Sequence, residues 1–181
     1  MRKEVILAGF GGQGVMSIGK NLAEAGVEEG LEVSWVPSYG PEMRGGTANC
    51  TVILTDERIG APLVDHPTEI VVMNRPSLAK FEPVLRAGGT AFVNSSMIPE
   101  RVSRTDVTAI YVPCDDIAQE LGSSKVGNMV MLGAVIAKTE LLKRETIMAV
   151  LEETMGRKKP ELLEFNIKAF NAGYEAAGKG E

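Results

Sequence analysis

Val5-Ile6-Leu7-Ala8-Gly9-Phe10-Gly11-Gly12-Gln13-Gly14-Val15 is the stretch on which the reading of the whole chain turns. Its first four residues form an apolar run of strand length. Behind the glycines, Val15, Ile18, Leu22 and Ala25 recur at helical spacing and line one face of a helix. A strand, a glycine-rich turn and a helix in this order give a G-x-G-x-x-G pattern physical content. Glycines let the backbone turn tightly and come close to a ligand or a partner, and a helix start offers unpaired N–H groups to an anion. Tight packing of strand against helix explains glycines in such a turn equally well, so Gly9, Gly11, Gly12 and Gly14 keep two readings.

Working outward, apolar runs predict strands over 3–8, 31–37, 47–55, 68–73, 89–94 and 107–112. Helical spacing predicts helices over 13–29, 75–86, 115–121, 127–139, 143–155 and 160–177. Short glycine connections between alternating strands and helices point to an α/β, Rossmann-like three-layer sandwich with a mostly parallel sheet. The segment 47–63 breaks the alternation. Thr55-Asp56-Glu57-Arg58-Ile59-Gly60 reads as the turn of a hairpin, which would make one edge antiparallel. No linker, repeat or low-complexity tract divides the 181 residues, so a single domain over 1–181 is expected.

Composition removes whole classes of function. A net charge of −5 gives no attraction to nucleic acid or to anionic lipid. Arg157-Lys158-Lys159, the densest basic run, reads as a helix end. No apolar run reaches membrane-spanning length, and the chain enters its first strand at once, so a cytoplasmic location is expected. The two cysteines, Cys50 and Cys114, are too few for a four-cysteine cluster and lack C-x-x-C spacing. Cys50 lies in an apolar strand. Cys114 follows a strand end, a better place for a reactive thiol, but no histidine or basic cluster stands beside it to activate it. His66, the one histidine, falls in a loop without a nucleophile elbow or HExxH pattern, which argues against hydrolysis.

A dinucleotide-binding fold needs an acid about 20 residues after the glycines, at the end of the second strand, to hold ribose hydroxyls. That strand here ends Val36-Pro37-Ser38-Tyr39, with no acid there and no Arg for a 2′-phosphate, so NAD and NADP are disfavoured. In their place stands Pro37-Ser38-Tyr39-Gly40-Pro41-Glu42-Met43-Arg44-Gly45-Gly46. Two prolines and three glycines shape a loop around a hydroxyl, a phenol, a carboxylate and a guanidinium. Rigid backbone with polar groups is typical of functional loops, although a surface connection with an internal Glu42–Arg44 contact is the plainer reading. As the loop follows a strand, it should share the carboxyl edge of the sheet with the glycine turn.

Gly9-Phe10-Gly11-Gly12-Gln13-Gly14-Val15 and Pro37–Gly46 together resemble the gamma subunit of 2-oxoacid:ferredoxin oxidoreductases. Gly127-Asn128-Met129-Val130-Met131-Leu132-Gly133-Ala134 is similar to a helix motif of the same family, and the similarity in motif order covers the whole chain. Glu42-Met43-Arg44 looks most like the 2-oxoglutarate and 2-oxoisovalerate types. The resemblance implies a subunit of an enzyme that oxidatively decarboxylates a 2-oxoacid, forms an acyl-coenzyme A and reduces ferredoxin. It implies alpha, beta and ferredoxin-like delta partner subunits, with thiamine diphosphate, Mg and iron–sulfur clusters in the complex. This chain shows no thiamine motif and no cluster ligands, so alone it should be inactive and should bind none of these, and it has no catalytic or metal-binding residues of its own.

The same resemblance implies a place beside the active site for the two loops. Gly9, Gly11, Gly12, Gln13 and Gly14 would meet coenzyme A or a partner, and Ser38, Tyr39, Glu42 and Arg44 would form the loop on the active-site side. Arg44 suits a carboxylate or a phosphate through its planar fork. The helix that begins at Asn128 is apolar nearly all round, which predicts either a core helix or a subunit contact, with Asn128 as a cap. Expressed alone, the chain would self-associate through surfaces meant for partners. A stand-alone nucleotide-binding module using the glycine loop is the rival reading, which leaves the second loop unexplained.

Overall fold

In the computed structural model, residues 1–39 and 47–178 are described, except the Tyr39 side chain. Six strands form one sheet: β1 (Arg2–Phe10), β2 (Glu32–Tyr39), β3 (Thr47–Thr55), β4 (Glu69–Val72), β5 (Thr90–Asn94) and β6 (Thr108–Val112). The helices are α1 (Val15–Glu28), α2 (Arg75–Phe81), α3 (Cys114–Glu120), α4 (Gly127–Thr139), α5 (Arg144–Met155) and α6 (Pro160–Gly178). Short 3₁₀ turns follow α2 at Glu82–Val84 and precede α4 at Ser124–Val126. Every strand and helix expected from the periodicity is present, with no end moved by more than five residues.

The strand order is β2-β3-β1-β4-β5-β6. The run β1-β4-β5-β6 is parallel, while β3 lies antiparallel to both β1 and β2. The α/β sandwich therefore holds, and one edge is antiparallel as expected. The hairpin's position differs. Thr55–Gly60 is not its turn. β2 and β3 are the paired strands, so residues 40–46 are the connection. From Thr55 the chain runs on without strand structure to β4, on the far side of β1. The Thr-Asp-Glu-Arg signal at 55–58 is a real local bend, with the Glu57 N–H donating to Thr55 Oγ1 at 3.1 Å. A bend does not name the strand's partner, and Val52–Leu54 find their mates in the preceding strand.

Successive strand residues point to opposite faces, and the two cores follow from this. Val5, Leu7, Cys50, Val52 and Phe92 lie on one face under α1, α4 and α6, where Val15, Ile18, Leu22 and Ala25 form the expected stripe. Ile6, Ile70, Val72 and Val93 lie on the other, with Leu78 of α2, Leu85 and Ile98. α4 is the central core helix: Met129 to Leu132, Ala134 and Val135 are fully buried, which decides between its two readings. Among the described residues no helix is long and apolar enough to cross a membrane.

Candidate functional site

The carboxyl ends of β1, β4 and β5 meet at one edge, and polar side chains gather there. Phe10 faces Thr47 across β1–β3, and Tyr39 faces Ala48 across β2–β3. The end of β1, the end of β2 and the start of β3 are thus level. The glycine turn leaves the sheet at the edge where β2 ends and β3 begins, with β3 interposed between β1 and β2.

The glycine turn divides its residues between the two readings. Gly9 and Gly14 pack. A Cβ on Gly9 would sit 2.7 Å from Gln13 Oε1, and one on Gly14 would sit 2.4 Å from Asn128 Nδ2. Gly14 also holds the left-handed conformation, at φ 77°, as it opens α1 without any side-chain cap. Gly11 and Gly12 are exposed, and Gly12 has φ +90° with nothing within 4 Å of a Cβ placed on it. Gly11 and Gly12 are the part of the turn open to an approaching group.

Gln13 has both ends of its amide engaged within the fold. The Phe10 N–H donates to its Oε1 at 2.7 Å, and its Nε2 donates to the Met73 carbonyl at 3.1 Å. Its amide ties the turn to the end of β4. Asn128 Nδ2 donates to the Gly14 carbonyl at 3.4 Å, and Asn128 Oδ1 accepts the Met129 N–H at 3.0 Å. Asn128 thus joins the start of α4 to the glycine turn; it is not the expected cap, because the N-cap position is Val126 and no side chain caps the helix.

The sequence reading missed Asn94 and Asp115. Fully buried Asn94 donates from Nδ2 to Asp115 Oδ2 at 2.8 Å and to the Met73 carbonyl at 3.3 Å. Its Oδ1 accepts the N–H groups of Cys114 at 3.2 Å and Ser96 at 3.3 Å. One amide thereby sets the ends of β4 and β5 and the start of α3. Asn74, at the end of β4, is also missed. Its Oδ1 accepts the Ser77 N–H at 3.0 Å and caps α2, while its Nδ2 is buried without a partner among the described residues. The usable signal was Asn at the carboxyl ends of two successive parallel strands, where polar residues are placed for sites rather than for core. Gly12, Gln13, Met73, Asp115, Ser124, Lys125, Gly127 and Asn128 enclose a small cavity of about 90 Å³.

The remaining candidates are placed as follows. Ser38 is exposed on β2 and paired with Asn49. The backbone of Tyr39 ends β2. Glu42 and Arg44 lie outside the described residues. Burial raises the Cys114 thiol well above its ordinary 9.0, and Asp115 adds to the rise, so it is no nucleophile. Burial also raises Cys50 to about 11, against a smaller opposing hydrogen bond with Trp35. His66 sits in an exposed loop with Nδ1 3.2 Å from the Val84 carbonyl. The edge can bind and orient, but the described residues bring no nucleophile and base together there.

Residues 4–176 match the model of the family described as pyruvate ferredoxin/flavodoxin oxidoreductase. The chain belongs to that family. Within the pyruvate ferredoxin/flavodoxin oxidoreductases it is 39% identical over 176 residues to ketoisovalerate oxidoreductase subunit VorA of Methanothermobacter marburgensis. That match takes 97% of this chain and 36% of VorA, so the chain spans about a third of that relative. It is 36% identical to 2-oxoglutarate synthase subunit KorC of the same organism, over the full length of both. Among solved structures, the gamma subunit of a keto/oxoacid ferredoxin oxidoreductase from Geobacter sulfurreducens superposes with a TM-score of 0.82 at 27% identity, covering 97% of this chain and 98% of that one. The 2-oxoglutarate:ferredoxin oxidoreductase of Magnetococcus marinus, described with 2-oxoglutarate, coenzyme A and succinyl-CoA bound, superposes at 0.90 and 26% identity. It takes 99% of this chain and 32% of that one.

Proposed function

We propose that this chain, as one domain over 1–181, is the gamma component of a 2-oxoacid:ferredoxin oxidoreductase of the 2-oxoglutarate or 2-oxoisovalerate type, working in the cytoplasm. The assembled enzyme oxidatively decarboxylates a 2-oxoacid, forms its coenzyme A thioester and reduces ferredoxin. The observation that carries the reading is the shared edge: the exposed Gly11-Gly12 backbone, the end of β2 and the start of β3 lie on one side of the sheet, together with Asp115 and Lys125. Full-length likeness to KorC supports the subunit role. The rival reading as a stand-alone nucleotide module draws no support from the relatives, whose names are those of oxidoreductase subunits.

Thiamine diphosphate, Mg and iron–sulfur clusters supply the carbanion and electron chemistry in such enzymes. The described residues do not fit them. Cys50 and Cys114 are both buried with raised thiol pKa values, and no group of three His, Cys, Asp or Glu side chains stands where a metal could be held. These groups are assigned to alpha, beta and delta partners, and this chain's work is non-covalent. Gly11 and Gly12 admit close approach of coenzyme A, the acyl acceptor, or of a partner backbone. Gln13, Asn94 and Asn128 hold that wall rigid. Ser38, Tyr39, Glu42 and Arg44 are the residues we assign to contact with the partner's active site.

Reconstitution with the partner subunits tests this, with assembly and acyl-coenzyme A formation measured separately. Arg44→Ala is expected to leave the isolated fold within about 0.5 kcal/mol of wild type. In the complex it should cost roughly 2–4 kcal/mol in assembly or turnover, the size expected for one partner of a desolvated charge pair. Arg44→Lys should restore only part, because a point charge does not replace the fork. Wild-type assembly and turnover in Arg44→Ala would make Arg44 an ordinary loop residue.

A further inference from the structure

We propose that the β2–β3 hairpin is a docking surface for the polypeptide that makes up the other two-thirds of the VorA relatives. The inference rests on the function proposed above and adds the surface through which it is carried out. β2 is the end strand of the sheet, and no described residue pairs with its outer side. Two large apolar residues stand side by side on it, Trp35 at 37% and Val36 at 42% exposure. Neighbouring strand residues point to opposite faces, so the pair wraps the edge from both sides. Trp35 leans on α1, where a Cβ on Gly19 would lie 3.0 Å from its Nε1. Val36 lies on the other face.

That second face is half covered. Leu78, Leu85 and Ile98 seal it over β1, β4 and β5. Over the hairpin, the register aligns Val36 with Thr51 and Ser38 with Asn49, all half-buried or exposed. An apolar centre with hydroxyl and amide groups beside it has the composition of an interface rather than of a solvated strand.

The relatives name the occupant. The same domain is 36% of VorA and 32% of the Magnetococcus chain, but all of KorC. A unit tethered in some relatives and free in another keeps its place in the free form by surface contact alone. The surface left open here is continuous with the edge that bears the two loops. Pro37 lacks an N–H and interrupts strand addition along the edge, so contact falls to side chains and edge-to-edge pairing with a second copy is disfavoured.

Trp35 is the only tryptophan, so labelling with 5-fluorotryptophan gives one ¹⁹F resonance. The labelled chain is titrated with the unlabelled partner polypeptide. The resonance is expected to shift as the complex forms. Val36→Asp should weaken assembly by at least about tenfold, as for a central interface position. Leu162→Asp, at an exposed site on α6, should assemble like wild type. A complex that forms with the resonance unmoved and with Val36→Asp unimpaired would overturn the inference and leave the proposed function standing. No complex with wild type would remove both. A dimer of this chain that buries Trp35 and persists under excess partner would put a second copy on the face and overturn the inference.

Discussion

Gln13 shows how one side chain converts a flexible turn into a fixed wall. Its amide satisfies the Phe10 N–H and reaches the Met73 carbonyl, two backbone groups 63 residues apart in the chain. Gln13→Ala leaves a half-buried N–H unpaired, and urea unfolding of the isolated chain should show a loss of about 1–3 kcal/mol. A loss near zero would mean that water replaces the amide and that the turn is held by packing alone. Cys50 carries a pH signature. Its thiol rises from the ordinary 9.0 to about 11 when folded. Below pH 9 the folded and unfolded chains both keep the proton, so this group makes stability independent of pH. Above it only the unfolded chain ionises, and stability falls until the folded thiol ionises near 11, by roughly 2–3 kcal/mol in all. Unfolding curves between pH 8 and 11 should therefore be steeper in pH for wild type than for Cys50→Ala. The same burial predicts that a thiol reagent such as DTNB modifies neither Cys50 nor Cys114 until denaturant is added.

Among the elements, α4 and α6 make the most demanding contact. Gly133 of α4 and Gly173 of α6 face each other's backbones: a Cβ would lie 2.0 Å from the Phe170 carbonyl oxygen in one case and 1.8 Å from the Val130 carbonyl oxygen in the other. Backbone cannot step aside as a side chain can, so an added methyl must separate the helices. Gly173→Ala is expected to cost about 3 kcal/mol, at the upper end of overpacking. Gly178→Ala on the same helix meets nothing within 4 Å, and should change stability by less than about 1 kcal/mol. Thermal melts of the two variants distinguish close approach from a general intolerance of alanine in α6. Gly133 was legible in the sequence only as part of a family-like motif. Its physical reason needs Phe170, 37 residues on, at the crossing.

At the scale of the whole molecule, the proposed function gives the chain an edge for binding and leaves the cofactor chemistry to its partners. The purified chain should contain no stoichiometric iron, should reduce no ferredoxin with any 2-oxoacid, and should bind neither NAD nor NADP in calorimetric titration. Brown colour, iron near one cluster per chain, or micromolar affinity for either nucleotide would refute these expectations separately. Addition of the partner subunits should bring activity.

The sequence by itself determined the elements, the stripe on α1 and the family, because each is written in local periodicity or in a contiguous motif. Gly9–Gly14 could be read as strand, turn and helix without knowing anything distant. Tertiary structure alone decided where β3 goes. Turn chemistry at Thr55–Gly60 and at the 40–46 connection looks alike from within the chain, and only the pairing of Val52 with both Val5 and Trp35 shows which is the hairpin. It alone separated the glycines that pack, Gly9 and Gly14, from Gly11 and Gly12, which stay open, since that distinction belongs to Gln13, Met73 and Asn128. Asn94, Asp115 and Lys125 escaped the sequence reading for the same reason. A polar residue at a strand end becomes part of a site only when folding brings the other strand ends to it.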